Sequence, residues 1–155
     1  MKKTILAIIT LIFLTSCGFT PIYSTKNLNF QIESVKFEGD KKIKSIVLPK
    51  LSPYFGNENN IDNYQIEINV NKKIEIVSKN TKGEAQVYRI KINSKVKFFL
   101  DKKLILNKDY VNTANFKNVE KKIILKDIEN KNLSTLASKL TDEIILDLSL
   151  RSSKK

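Results

Sequence analysis

Between Tyr64 and Phe98 apolar and polar residues alternate through two long runs. In the first, Tyr64, Ile66, Ile68, Val70, Ile74 and Ile76 fall on one side, and Gln65, Glu67, Asn69, Asn71, Lys73 and Glu75 on the other. In the second, Tyr88, Ile90, Ile92, Val96 and Phe98 oppose Arg89, Lys91, Asn93, Lys95 and Lys97. Successive side chains of a strand leave opposite faces, so each run predicts a strand with one buried and one wet face. Asn80 to Glu84, centred on Lys82-Gly83, supplies turn residues that join the runs into an antiparallel hairpin. After an Asp101-Lys102-Lys103 turn, Leu104, Leu106 and Tyr110 share one side of a further strand. Upstream, Phe30, Ile32, Val35 and Phe37 keep period two with one slip, which predicts a first strand carrying a bulge.

Two other stretches have helical period. Behind Asp40, Ile43, Ile46, Val47 and Leu51 recur at spacings of about three or four, and Pro49 predicts that this short helix stops near Leu48. Ser52-Pro53 to Asn63, rich in Asn with Pro and Gly, reads as a loop. From Asn118 to Leu150 the apolar positions Ile124, Leu125, Ile128, Leu136, Leu140, Ile144, Ile145 and Leu148 mark one helical face. Asn130 to Asn132 interrupts that stripe, leaving open whether two helices meet there or one helix exposes a turn. The apolar sheet face needs a cover, and the helices supply it. The pattern therefore predicts an α+β, two-layer sandwich of about four mainly antiparallel strands packed by two helices, in the order β-α-β-β-β-α.

The N-terminus has a separate logic. Lys2 and Lys3 precede an apolar run from Ile5 to Leu14, then Thr15, Ser16 and the chain's single cysteine, Cys17. The run is far short of the roughly 20 helical residues that span a bilayer core, so it reads as a targeting segment to be removed rather than a membrane-spanning helix. Leu14-Thr15-Ser16-Cys17 resembles the lipobox of bacterial lipoproteins, which implies cleavage before Cys17 and acylation of its thiol and amine. Two or more acyl chains, at about 0.8 kcal/mol per buried methylene, anchor a protein stably without spanning the membrane. Gly18 stands where an Asp would resemble an inner-membrane retention signal, so the expected site is the periplasmic side of the outer membrane. The expected organisation is a cleaved signal over 1–16, a lipidated tether over 17–28, one domain over 29–150 and a basic tail over 151–155.

Composition narrows the chemistry. The net charge is +12, and loss of residues 1–16 with Lys2 and Lys3 leaves 139 residues (155 less 16) at +10 (12 less 2). Such a surplus favours anionic partners such as lipid headgroups or phosphorylated glycolipids, although a chain so rich in Lys, Asn and Ile also carries a general compositional bias. Export argues against nucleic acid. The absence of histidine excludes a Ser-His-Asp triad and His-dependent metal sites. An acylated Cys17 is no nucleophile, and the four glycines form no phosphate-binding loop. Asp142-Glu143 are neighbours that diverge on a helix, which favours a solvated face over acid-base work. A non-enzyme is expected, with no cofactor or metal beyond the covalent lipid on Cys17.

Cys17-Gly18-Phe19-Thr20-Pro21-Ile22-Tyr23 resembles the mature start of the LptE family of LPS-assembly lipoproteins, which often reads Cys-Gly-Phe-x-Pro-Leu-Tyr. The order of elements is also similar, including a Tyr-Arg-apolar run at Tyr88-Arg89-Ile90 and a long C-terminal helix. Departures are the Ile, Lys and Asn of the last helix, where the family has Ala and Arg, and Pro49 in the first. The resemblance implies a non-catalytic plug in the outer-membrane barrel LptD that assists barrel assembly and lipopolysaccharide delivery. Arg89, Lys91, Lys95 and Lys97 then become the candidates for a surface facing barrel or glycolipid, against the alternative of a merely solvated strand face. A peptidoglycan-binding lipoprotein or an accessory subunit of a phospholipid transporter would share anchor and charge, but neither explains the heptapeptide.

Overall fold

The computed structural model describes residues 30–56 and 62–152, so the signal segment, Cys17 and its tether, and residues 153–155 of the basic tail lie outside the described residues. The elements are β1 (Phe30–Gly39), α1 (Lys41–Leu51), a 3-10 turn (Ser52–Tyr54), β2 (Asp62–Lys79), β3 (Ala85–Leu100), β4 (Lys103–Lys117) and α2 (Lys122–Ser152). The four strands form one sheet in sequence order; β1 and β2 are parallel, joined through α1, and the other pairs are antiparallel. This is the expected α+β sandwich, with both helices over one face of the sheet.

The slip in β1 is a bulge at Glu33, where the partner register shifts between Ile32 and Ser34. It keeps Phe30 and Ile32 inward while returning Val35 and Phe37 to the same face, so both halves of the strand serve one core. The Asn80 turn forms as expected: Asn80 Oδ1 accepts from the backbone N–H of Lys82 (3.0 Å) and Glu84 (2.9 Å), and Gly83 takes the positive φ. The core is filled by Tyr64, Ile66, Ile68 and Val70 of β2, Ile90, Ile92, Val96 and Phe98 of β3, Ile43, Val47 and Leu51 of α1, and a stripe from Leu133 to Leu148 of α2. Phe30 stacks on Tyr54 at 5.9 Å and meets Tyr64 edge-on at 6.3 Å, a favoured pair of aromatic geometries.

Three expectations change and one open alternative is decided. The first helix runs through Pro49 to Leu51, because the buried Leu51 pulls the last turn onto the core and the Ser52 N–H still reaches the Leu48 carbonyl past the proline. Asn130 to Asn132 do not divide two helices: α2 is continuous, Asn132 Nδ2 donates to the Ile128 carbonyl (2.8 Å), and Lys42 of α1 donates to Asn130 Oδ1 (2.5 Å). The polar interruption is where the two helices meet.

Ile74 and Ile76 share the inner face yet remain 40% and 49% exposed, because β1 ends at Gly39 opposite Val70 and leaves the far half of β2 without a neighbour on that side. Leu104 turns outward at 49% exposure: the β3–β4 register shifts after Phe98–Leu106, so Leu104 opposes the outward Phe99 rather than following Leu106 and Tyr110 inward. A one-residue slip moves a strand side chain to the other face.

Candidate functional site

The face of the sheet away from the helices is built from the polar half of each alternation. Lys36 and Glu38 of β1, Glu67, Asn69 and Asn71 of β2, Asn93, Lys95 and Lys97 of β3, and Asp109 and Val111 of β4 line an open groove of about 670 Å³ across it. Val111 is an apolar side chain among them, and Ile68, Ser94 and Tyr110 also border the groove. The arrangement follows from period two: a strand whose even residues fill the core must present its odd residues to the opposite side.

All four basic candidates stand on this face. Arg89 and Lys97, eight residues apart, are separated by about 26 Å at roughly 3.3 Å per residue, so they form a stripe rather than a cluster. Their neighbours differ. Lys97 pairs with Glu67 across the hairpin (3.4 Å), and Arg89 Nε donates to Asn115 Oδ1 (2.9 Å) while standing opposite Glu75. Lys95 lies between Asn69 and Asp109, and Lys91 between Lys73 and Thr113. The groove therefore brings Lys95 and Lys97 together with carboxylates, whereas Lys91 stands beside Lys73, itself paired with Glu75 (3.4 Å), nearer the hairpin tip.

Glu38, at the groove wall, is held below the usual carboxylate range first by the hydrogen bond from Lys36 (3.2 Å) and that ammonium's charge, then by the Asn69 amide (3.3 Å). It stays ionised, so the groove keeps alternating signs. Such a surface offers hydrogen bonds and ion pairs to a polar wall or a polar headgroup. Among the described residues no group of acidic or sulfur side chains is placed to hold a metal ion, and no helix is long and apolar enough to cross a membrane. Cys17 lies outside the described residues.

Reading the sequence missed a polar seam between β4 and α2. Asp147 accepts from the Tyr110 hydroxyl and from Lys108 Nζ (2.6 Å), with the Lys108 ammonium 5.0 Å from the centre of the Tyr110 ring. Burial, then the hydrogen bond to Asp147 and its charge, push the Tyr110 phenol well above its ordinary pKa. One turn earlier Glu143 accepts from Asn112 Nδ2 (2.9 Å) and faces Lys139 (3.9 Å). Of the pair read as a solvated face, Asp142 is exposed but Glu143 is tied to the sheet. The available signal was spacing: Tyr110 and Asn112 are two apart on a strand, and Glu143 and Asp147 four apart on a helix, so each pair shares a face.

No protein-family model matches the chain, and no curated protein matches it in sequence. Solved structures do share its fold. The rare lipoprotein B of Shewanella oneidensis is similar with a TM-score of 0.59 at 11% identity, over 78% of this chain and 97% of that one. An uncharacterized lipoprotein B of Nitrosomonas europaea gives 0.63 at 12%, over 81% and 88% respectively. A minor lipoprotein of Acinetobacter baumannii gives 0.52 at 11%, over 78% and 92%. Likeness at this level of identity establishes the architecture.

Proposed function

We propose that this chain is a non-catalytic bacterial lipoprotein, anchored through acylated Cys17 at the periplasmic side of the outer membrane, that seats in a β-barrel of the LptD kind and assists lipopolysaccharide transport to the cell surface. The observation that carries the reading is the polar outer face of the sheet. It spans all four strands, alternates in charge and holds an open groove, while the opposite face is closed by two helices around the core. A body of this form can lie against a water-lined barrel wall without exposing its core. The Cys17-Gly18-Phe19-Thr20-Pro21-Ile22-Tyr23 segment supports the anchor and the family resemblance, and the lipoproteins that share the fold are compatible with both.

In this reading Lys95 and Lys97 contribute to the contact through the groove, and Arg89 and Lys91 through the stripe above it. The test is affinity purification of the tagged full-length protein from outer membranes of its own host in mild detergent, followed by mass spectrometry. A stoichiometric large barrel is expected, and reversing Arg89, Lys91, Lys95 and Lys97 to Glu should reduce its recovery. Wild-type protein that brings down no barrel removes the proposal. Undiminished recovery with the reversed stripe removes the assignment of these four residues.

A further inference from the structure

One end of the domain collects the ends of all its elements. Ile32, Tyr64, Leu100 and Lys103 form a row across β1 to β4 at that end. The chain enters β1 there at Phe30. Phe55, just past α1, bridges to Ile32, and the Asp101-Lys102 turn closes β3 onto β4. α2 runs toward the same row: Glu143 meets Asn112, opposite Ile92, and Asp147 meets Lys108, opposite Val96, so its last turn is carried on toward Leu100. The β2–β3 turn is at the opposite end, Lys79 being 15 residues beyond Tyr64 (79 less 64), or about 50 Å at roughly 3.3 Å per residue.

Three large apolar side chains from three different elements are left open at the entry end: Phe55 at 47%, Leu104 at 49% and Leu150 at 52% exposure. Lys50 in the last turn of α1, Lys102 and Lys103 at the β3–β4 turn and Arg151 beside Leu150 belong to the same end, all exposed, and Lys154 and Lys155 follow in sequence. The acidic groups near this end are Glu33, Asp62 and Asp101, so the basic side chains prevail. Exposed apolar tips accompanied by Lys and Arg are the composition of a surface that enters a lipid interface.

We propose that this end is a second membrane contact: Phe55, Leu104 and Leu150 enter the headgroup layer of the membrane that holds the Cys17 lipid, and Lys50, Lys102, Lys103 and Arg151 meet its anionic headgroups. The inference rests on the anchoring reading of Cys17. The occupant follows from where the rest of the chain lies: only residues 18–29 separate Cys17 from Phe30, a span of at most about 47 Å over 13 steps (30 less 17) fully extended. The entry end is therefore the part of the domain that the anchor holds nearest the bilayer. The hairpin, with the exposed Ile74 and Ile76, is the end of the domain remote from these contacts.

The chain contains no tryptophan, which makes the contact directly readable. Phe55→Trp, Leu104→Trp and, as a control at the far end, Ile76→Trp are each introduced into the full acylated lipoprotein. The proteins are reconstituted in phosphatidylethanolamine vesicles containing phosphatidylglycerol. Lipids brominated on the acyl chain should quench the tryptophan at 55 and 104 but not at 76. Tryptophan at 55 and 104 as unquenched as at 76, in protein whose mass shows acylated Cys17, overturns the contact and leaves the anchor standing. Absence of the acyl mass overturns the anchor reading itself.

A second measurement uses the unlipidated chain from residue 18 onward, which retains every core residue described above. It should partition onto the anionic vesicles, and reversing Lys102, Lys103 and Arg151 to Glu should weaken this by at least about fivefold per site. If Phe55→Trp is already blue-shifted in this chain and vesicles change nothing, residues 18–29 cover the patch and the proposal fails.

Discussion

Replacing Asp40 tests how α1 is tied to the sheet. The Asp40 side chain caps α1, accepting from the backbone N–H of Lys42 (2.9 Å) and Ile43 (3.1 Å), and it pairs with Lys72 of β2 at 3.0 Å. Asp40→Ala removes both roles. A lost cap costs about 1 kcal/mol, and a partly exposed ion pair is worth up to about 1 kcal/mol, so a loss of roughly 2 kcal/mol is expected. For a domain of this size each kcal/mol lowers Tm by about 3–5 °C, giving a fall of roughly 6–10 °C in thermal unfolding followed by circular dichroism.

Asp40→Asn retains an oxygen for the cap and should lose only the charge-dependent part, about 1 kcal/mol. Burial disfavours the Asp40 carboxylate, but the hydrogen bond from Lys72, those from Ile43 and Lys42, and the Lys72 charge together outweigh it and hold its pKa below the ordinary 3.8. A carboxyl depressed by folding stabilises the fold fully above its unfolded pKa and loses that contribution as pH falls through the folded one. The gap between wild type and Asp40→Asn should therefore be full near neutral pH and close in strong acid, below 3.8. A gap independent of pH, or no coupling between Asp40→Asn and Lys72→Met in a double-mutant cycle, would refute the reasoning.

Other outcomes follow from the same structure. Gly39→Ala would place a Cβ 2.1 Å from the Val70 carbonyl oxygen at φ +122°, so the β1–β2 junction must open; a loss of at least about 2 kcal/mol is expected in urea unfolding. Lys102→Gly should stabilise by about 1 kcal/mol in the same assay, since Asp101 and Lys102 hold φ of 50° and 63° in a two-residue turn that glycine adopts without strain. Leu140→Ala, at a fully buried position of α2, should cost about 2–5 kcal/mol; a value under 1 kcal/mol would mean that the helix is not docked as described.

Period-two and period-3.6 patterning determined most of this protein. The hairpin with its Asn80 turn, the bulge in β1, the two helices and the sandwich they make were all legible, because the face on which a side chain emerges is a local property of backbone geometry. The polar stripe of Arg89, Lys91, Lys95 and Lys97 was legible as a face for the same reason. Glu67 was legible on that face too, but its pairing with Lys97 and the Asn115 bond to Arg89 were not, because only the register sets which residues stand side by side.

Other features depended on where neighbouring elements stop. Ile74 and Ile76 carry the same pattern as Ile66 and Ile68, yet stay exposed because β1 ends at Gly39. Leu104 left the core through a register shift that its own alternation does not encode. Pro49 read as a break that Leu51 burial overrode, and the Asn130 to Asn132 interruption left two outcomes open, which the contact between α1 and α2 decided. The seam from Tyr110 and Asn112 to Asp147 and Glu143 joins residues far apart in the chain, and Phe55, Leu104 and Leu150 come from elements that only the fold brings to one end. Local sequence determines which way a side chain faces, whereas tertiary packing decides what, if anything, covers it.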